Sequence, residues 1–200
     1  MWWKKLEDMA EKLRDLDPYR DPTAKVSPHA LIEGSVYIGP GTIVDHFAII
    51  QGPVYIGANC IVGDGVKIRG PAWIADNCKI GRQCELRNTH METGTRLGPQ
   101  CFVCDSVAEE EVFLGAMVRT SNYRLDYKSI SVLVDGKTVD TGLERLGAHI
   151  GARTRLGIMD IIFPGRIVPP DSLFAPRINI VKNLPPGHYT LRQDLDYQPL

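Results

Sequence analysis

The chain has no apolar run near the roughly 18 residues that a membrane-spanning helix needs, which argues against a helical anchor. It has no excess of either charge. With 23 Lys and Arg against 24 Asp and Glu the net charge is −1, so no basic field invites nucleic acid or an anionic lipid surface. Lys4 and Lys5 are followed by neither an apolar stretch nor a small-residue cleavage site, so the start does not read as a signal peptide and the expected compartment is the cytoplasm. Cys101-x-x-Cys104 has no second pair to complete it, which argues against a zinc or redox site.

What is present is a period. One aliphatic residue recurs at every sixth position through Ile32, Ile38, Val44, Ile50, Ile56, Val62, Ile68, Ile74, Ile80 and Leu86. Four positions after each sits a small or β-branched residue: Val36, Thr42, Ala48, Val54, Cys60, Val66, Ala72, Cys78 and Cys84, until His90 breaks the series. Six is a multiple of the strand period of 2 but not of 3.6, so a helix would scatter these side chains around its circumference. A fixed short period of this kind predicts a parallel β-helix, an all-β solenoid with three hexapeptides to each triangular coil. Cys60 and Cys78 then stack on neighbouring coils as buried thiols, and a reducing compartment argues against joining them. Gly39, Gly57, Gly63 and Gly81, with Gly41, Gly65 and Gly70, are expected to serve turns that need positive φ.

Before the coils, residues 1–18 place Trp2, Leu6, Met9, Leu13 and Leu16 on one stripe of an amphipathic helix, which Asp17-Pro18 ends. That helix is expected to cap the first coil or to pack on a neighbouring subunit. The β-helix domain is expected over residues 31–181. Near residue 92 the register slips. Glu92 falls where an aliphatic belongs, and the pattern resumes through Leu97 and Val103 with Cys101 and Val107 in the small column. Between 119 and 146 the period is lost. There SISVLV-DG-KTVDTG reads as a hairpin about the Asp135-Gly136 turn. The period returns with Ile150, Leu156, Ile162, Val168 and Phe174, and residues 182–200 form a tail expected outside the solenoid or across a neighbour.

Arg69 and Arg87 are 18 apart, which stacks two guanidiniums on one edge at a spacing of about 5 Å. A shared anion such as a phosphate would relieve their repulsion; local carboxylates such as Glu85 would do the same.

From Val66 to Gly165 the chain resembles the hexapeptide-repeat acyltransferase superfamily, in particular the acetyltransferase half of bifunctional glucosamine-1-phosphate acetyltransferase/N-acetylglucosamine-1-phosphate uridylyltransferases of the archaeal type. The resemblance is carried by VKIRG (66–70), CELRNT (84–89), VCDSV (103–107), SNYRLD (121–126) and VDTGLERLGAHIG (139–151). It implies a left-handed β-helix, a homotrimer with active sites in the grooves between subunits, and acetyl-CoA or another acyl-CoA as donor. It also implies that Arg69, Arg87, Asn122, Tyr123 and Lys128 bind a sugar phosphate or nucleotide sugar, and that Ala116 and Ile158 line the acyl-CoA site.

The resemblance fails at the chemistry. Pro99 stands where the family has its general-base histidine, Phe102 where it has a tyrosine and Phe113 where it has an asparagine. Amine acylation needs a base, worth typically 10²- to 10⁴-fold, and proline cannot act as one. His90, His46 and His149 are candidate replacements. A γ-type carbonic anhydrase is a similar trimer but uses close paired histidines, which His29, His46, His90, His149 and His188 do not form, so no metal is expected. No Gly-rich pyrophosphorylase loop precedes residue 30, so uridylyl transfer is not expected either. Two readings stand: an acyltransferase on a phosphorylated or nucleotide-linked sugar, and a binding or scaffolding trimer that has lost catalysis.

Overall fold

A computed structural model describes residues 1–192 and shows a parallel β-solenoid, consistent with a left-handed β-helix, with one short helix and one antiparallel hairpin. Strands one coil apart pair in parallel register: Ile38 lies beside Ile56, Ile56 beside Ile74, and Val44 beside Val62. The aliphatic column fills the interior from Ile38 to Ile180, and Ile50, Ile56, Val62, Ile68, Ile74 and Leu86 are fully enclosed. Residues between them point outward, which gives each coil three faces. The first face carries Lys67, Glu85 and Phe102, the second Tyr55, Trp73 and His90, and the third Lys79, Arg96 and Phe113. Strands Lys67–Ile74, Glu85–Met91 and Phe102–Ala108 run through the corner between the first two faces and join them into one sheet.

Pairing begins a coil earlier than residue 31, with Tyr19–Arg20 beside Tyr37–Ile38. The slip near residue 92 is a shortened corner. Where one coil turns through Arg69-Gly70-Pro71-Ala72, the next turns through Arg87-Asn88-Thr89, and the register shifts there by one. Met91 therefore takes the core position beside Ile74, and Glu92 lies outside. The same count places Ser106 in the small column and turns Val107 outward, beside His90. Thr120 still holds a buried core position, beside Ile162.

Small-column hydroxyls and thiols have a shared task. Thr42 donates to the Gly57 carbonyl (2.7 Å), Cys60 to Ala75 (3.1 Å), Cys84 to Gly98 (3.1 Å) and Cys101 to Gly115 (3.1 Å), each reaching the next coil. A buried carbonyl without a partner is costly, so the thiols here act as weak donors at corners.

The glycines divide into two sorts. Gly41 and Gly65 have positive φ, as expected, at +68° and +63°. Gly39, Gly57, Gly63, Gly70 and Gly81 do not; their neighbours leave no room for a side chain, and a Cβ on Gly39 would stand 2.7 Å from the Gly57 carbonyl carbon. Coil stacking at about 4.8 Å forces that crowding.

Helix α1 (Lys4–Leu13) does not cap the first coil. It lies along the second face, where Trp3, Leu6, Met9 and Leu13 pack with Val107, Leu146 and the hairpin residues Ile130 and Val132. Trp2 stacks on His149 with ring centroids 5.8 Å apart, and Lys12 sits 4.3 Å above the Trp73 ring. The hairpin itself, Ser131–Val134 with Lys137–Asp140, turns at Asp135-Gly136 with both φ positive, as a type I′ turn requires. At the far end His188–Tyr189 joins the third face beside Leu173–Phe174, and the Tyr189 ring stacks on Phe174 at 4.7 Å. That part of the tail extends the solenoid; residues 193–200 lie outside the described residues.

Candidate functional site

Arg69 and Arg87 occupy adjacent places in the register on the edge of the first face, flanking the corner. Each guanidinium meets a carboxylate: Arg69 pairs with Glu85, and Arg87 Nη2 lies 2.6 Å from Asp105 Oδ2. Asp105 is the hub of this corner. It is 5% exposed with φ +50°, and it also accepts from Asn88 Nδ2 at 2.9 Å and Asn122 Nδ2 at 2.5 Å. Burial works against the charge on Arg87, but the hydrogen bond and negative charge of Asp105 outweigh it and raise the arginine's pKa. Nothing in the sequence pattern marks Asp105: the register partner of Arg87 is Cys104, and Asp105 follows it at the turned corner.

The chain leaves the solenoid at this same corner. Asn122 turns inward to Asp105, while Tyr123 forms a bridge with Arg145, whose guanidinium lies 4.8 Å over the Tyr123 ring. Beneath the loop is a groove of about 640 Å³ lined by Tyr123, Leu125, Phe163, Val181 and Arg166. Lys128 is exposed and stands outside that lining; its backbone N–H donates to Asp126 at 3.4 Å.

The opposite corner of the first face holds Pro99, Ala116 and Ile158 in one column, linked by Met117 N–H to the Pro99 carbonyl (2.9 Å) and Met159 N–H to the Ala116 carbonyl (2.9 Å). Phe102 lies on the face beside it, in a groove of about 930 Å³ with Lys67, Glu85, Gln100 and Arg119. Phe113 is elsewhere, on the third face between Arg96 and Arg155.

None of the candidate histidines reaches Pro99. His90 does not project towards Arg87; it sits on the second face under α1, with Nε2 3.1 Å from Glu92. Burial lowers its pKa, and Lys5 adds to that. His149 is also under α1, 2.9 Å from Glu109, and its pKa is likewise lowered by burial. His46 shares the corner column of Pro99 but stands three coils away, about 14 Å. Cys104 follows Val103 and is no thiolate, because burial pushes its pKa up to about 12.

The repeats that build these coils match a known family: "Bacterial transferase hexapeptide (six repeats)" fits residues 35–70 and 53–88. Residues 35–88 therefore carry repeats similar to those of that family. This hexapeptide-repeat chain is 47% identical over 111 residues to "Uncharacterized acetyltransferase YaiX" of Escherichia coli O6:K15:H31 (strain 536 / UPEC), an alignment covering 56% of this chain and 48% of the relative. It is 37% identical over 81 residues to the "Bifunctional sugar-1-phosphate nucleotidylyltransferase/acetyltransferase" of Sulfurisphaera tokodaii, covering 40% of this chain and 20% of that protein. It spans about half the length or less of these curated relatives. Among solved structures it is similar to "UDP-N-acetylglucosamine acyltransferase from Campylobacter jejuni", with 12% identity, a TM-score of 0.45, and coverage of 81% of this chain and 69% of that one.

Proposed function

We propose that this protein binds a sugar phosphate or nucleotide sugar in a groove on the first face, and takes an acyl group from acetyl-CoA or another acyl-CoA. The observation that carries the reading is the layout of that face. Arg69, Arg87 and the Asn122-Tyr123 segment cluster about one of its corners, and Pro99, Ala116 and Ile158 form the other. The identity to relatives named acetyltransferases supports the same reading. Arg69, Arg87, Asn122, Tyr123 and Lys128 are assigned to the acceptor, and Ala116 and Ile158 to the donor. A homotrimer would complete the groove with a neighbouring subunit, and use of acyl-CoA fits a cytoplasmic protein.

Acyl transfer from the thioester to a sugar amine forms an amide, releases the CoA thiol and requires removal of the ammonium proton. Pro99 and Phe102 offer nothing to accept that proton. They favour a second reading, in which the trimer binds its ligand without turnover.

A thermal-shift titration separates the two, since a ligand raises apparent stability by RT ln(1 + [L]/Kd). Stabilisation by acetyl-CoA, followed by thiol release with a hexosamine phosphate, supports the enzyme. Stabilisation by a sugar phosphate alone, lost in Arg69→Ala, supports the binding trimer. Indifference to both ligand classes would sink each reading.

A further inference from the structure

Arg166 begins strand Arg166–Val168 and is half-buried at the base of the 640 Å³ groove. Its Nε donates to the Pro164 carbonyl at 3.1 Å and its Nη2 to the Ser131 carbonyl at 3.2 Å, so the guanidinium is held between coil and hairpin. Among the described residues, and unlike Arg69 and Arg87, the other half-buried arginines, it faces no carboxylate within ion-pair distance. Arg69 has Glu85, Arg87 has Asp105, Arg124 has Asp126, and Arg153 has Glu110 and Asp171. Burial lowers the Arg166 pKa, and the nearby charge of Arg124 adds to it, so the cation is held where charge is disfavoured. A partly desolvated cation without a counter-ion is costly, and an anion supplied from solution relieves that cost.

The walls above it complete a site. Phe163 and Val181 continue the register column that carries Arg69 and Arg87, placed there by the hydrogen bonds of the coils at Ser121 and Phe163. Tyr123 and Leu125 close the groove from the loop, and Leu125 is 95% exposed. The lining also includes Asp126, whose carboxylate is taken up by Arg124, so a cation at the floor and largely apolar walls above suit a ligand with an oxyanion at one end and an apolar or aromatic body at the other.

We propose that this groove is a binding site for a small-molecule oxyanion, a phosphate or a carboxylate, held by the Arg166 guanidinium with its body packed on Tyr123, Leu125 and Phe163. The site goes beyond the acyl-transfer reading: it shares Tyr123 with the acceptor residues assigned above, but its cation is Arg166, and neither Arg69 nor Arg87 lines it.

The test uses the full chain with four probes: inorganic phosphate, phenyl phosphate, benzoate and, as a neutral control, phenol. Saturable binding of phenyl phosphate or benzoate is expected by calorimetry and thermal shift, with phenol at least about tenfold weaker. Arg166→Gln should weaken the anion by about tenfold or more, Arg166→Lys should restore part of the loss, and Arg96→Gln, exposed on the third face, should leave it unchanged. Because Arg166 also ties the hairpin to the coil, Phe163→Asp serves as an independent variant. Phe163 is partly exposed, and an aspartate there sets a counter-ion at the mouth, so anion binding should fall while the fold persists. Phosphate against carboxylate preference reads from phenyl phosphate against benzoate. The proposal is overturned if wild type binds neither anion saturably, or if Arg166→Gln and Phe163→Asp bind as wild type does. Those results leave the acyl-transfer reading intact, whereas failure of acetyl-CoA and sugar phosphates leaves this one intact.

Discussion

Arg87 Nη2 and Asp105 Oδ2 stand 2.6 Å apart, an arginine from one coil held by a carboxylate from the corner of the next. The same carboxylate holds Asn88 and Asn122, so the residue that neutralises the arginine edge also anchors the start of the inserted loop. Replacing Asp105 with Ala leaves two amide donors and a guanidinium short of a partner. A loss of about 2 to 3 kcal/mol in unfolding free energy is expected, less than the roughly 3 to 5 kcal/mol of a fully buried pair, because Arg87 keeps some contact with water. Urea titration checks it. A double-mutant cycle with Arg87→Met should show coupling, and strict additivity would mean that the contact contributes nothing of its own.

Asp160 lies inside the solenoid in the small column, fully enclosed, and accepts backbone N–H groups from Gly157 and Ile178 at 2.8 Å each. Burial raises its pKa to about 6 in spite of those bonds. The folded state then binds a proton between about pH 4 and 6 that the unfolded state has lost, so stability declines as pH rises through that window. The expected span is about 3 kcal/mol. Asp160→Asn should flatten the slope, which a series of melts from pH 4 to 7 would reveal.

The histidines under α1 have the opposite sign. His90 and His149 have pKa values lowered by burial, His90 facing Glu92, Lys5 and Lys12 and His149 facing Glu109 and Lys5. Their contribution is fully present above the unfolded value of about 6.5 and is lost as pH falls through the folded values. Acid should therefore release α1 while Asp160 steadies the coils. All 3 tryptophans, Trp2, Trp3 and Trp73, sit at this contact, so a fluorescence change below pH 6.5 that precedes loss of the β-sheet circular-dichroism signal is expected. Simultaneous loss of both signals would contradict it.

Leu13 is fully buried where α1 meets the hairpin cluster. Leu13→Ala should cost about 2 to 5 kcal/mol of docking free energy. Limited proteolysis at Lys12 or Arg14 should then speed up, with the coils left intact. Unchanged cleavage would mean that the helix is held elsewhere.

Much of this architecture was readable from the chain, for a physical reason: interior positions of a coil admit aliphatics of one size, so Ile38 to Leu86 announce themselves by period. The later half was harder to read because a corner shortened at Asn88 moved the core place from Glu92 to Met91. The helix was visible as a stripe, but its destination was not. The receiving column of Trp73, His90, Val107 and His149 mixes aromatic, titratable and aliphatic residues and does not look like a docking face. At the candidate site the arginines were legible, and so was Glu85 as a local partner; Asp105 was not, since it sits at a corner whose backbone, not whose side-chain pattern, places it.

The corner that holds Asn88 and Asp105 also releases the chain between Thr120 and Ala148. Within a strand, one residue more or less would exchange inside for outside along its whole length. At a corner the alternation starts afresh on the next face. One residue has been dropped there, and elsewhere an entire hairpin inserted, without disturbing the column from Ile74 to Met91, Ala108 and Ile150. Corners of this kind act as punctuation: the chain can be edited at them, and new loops grafted, while the text on either side still reads.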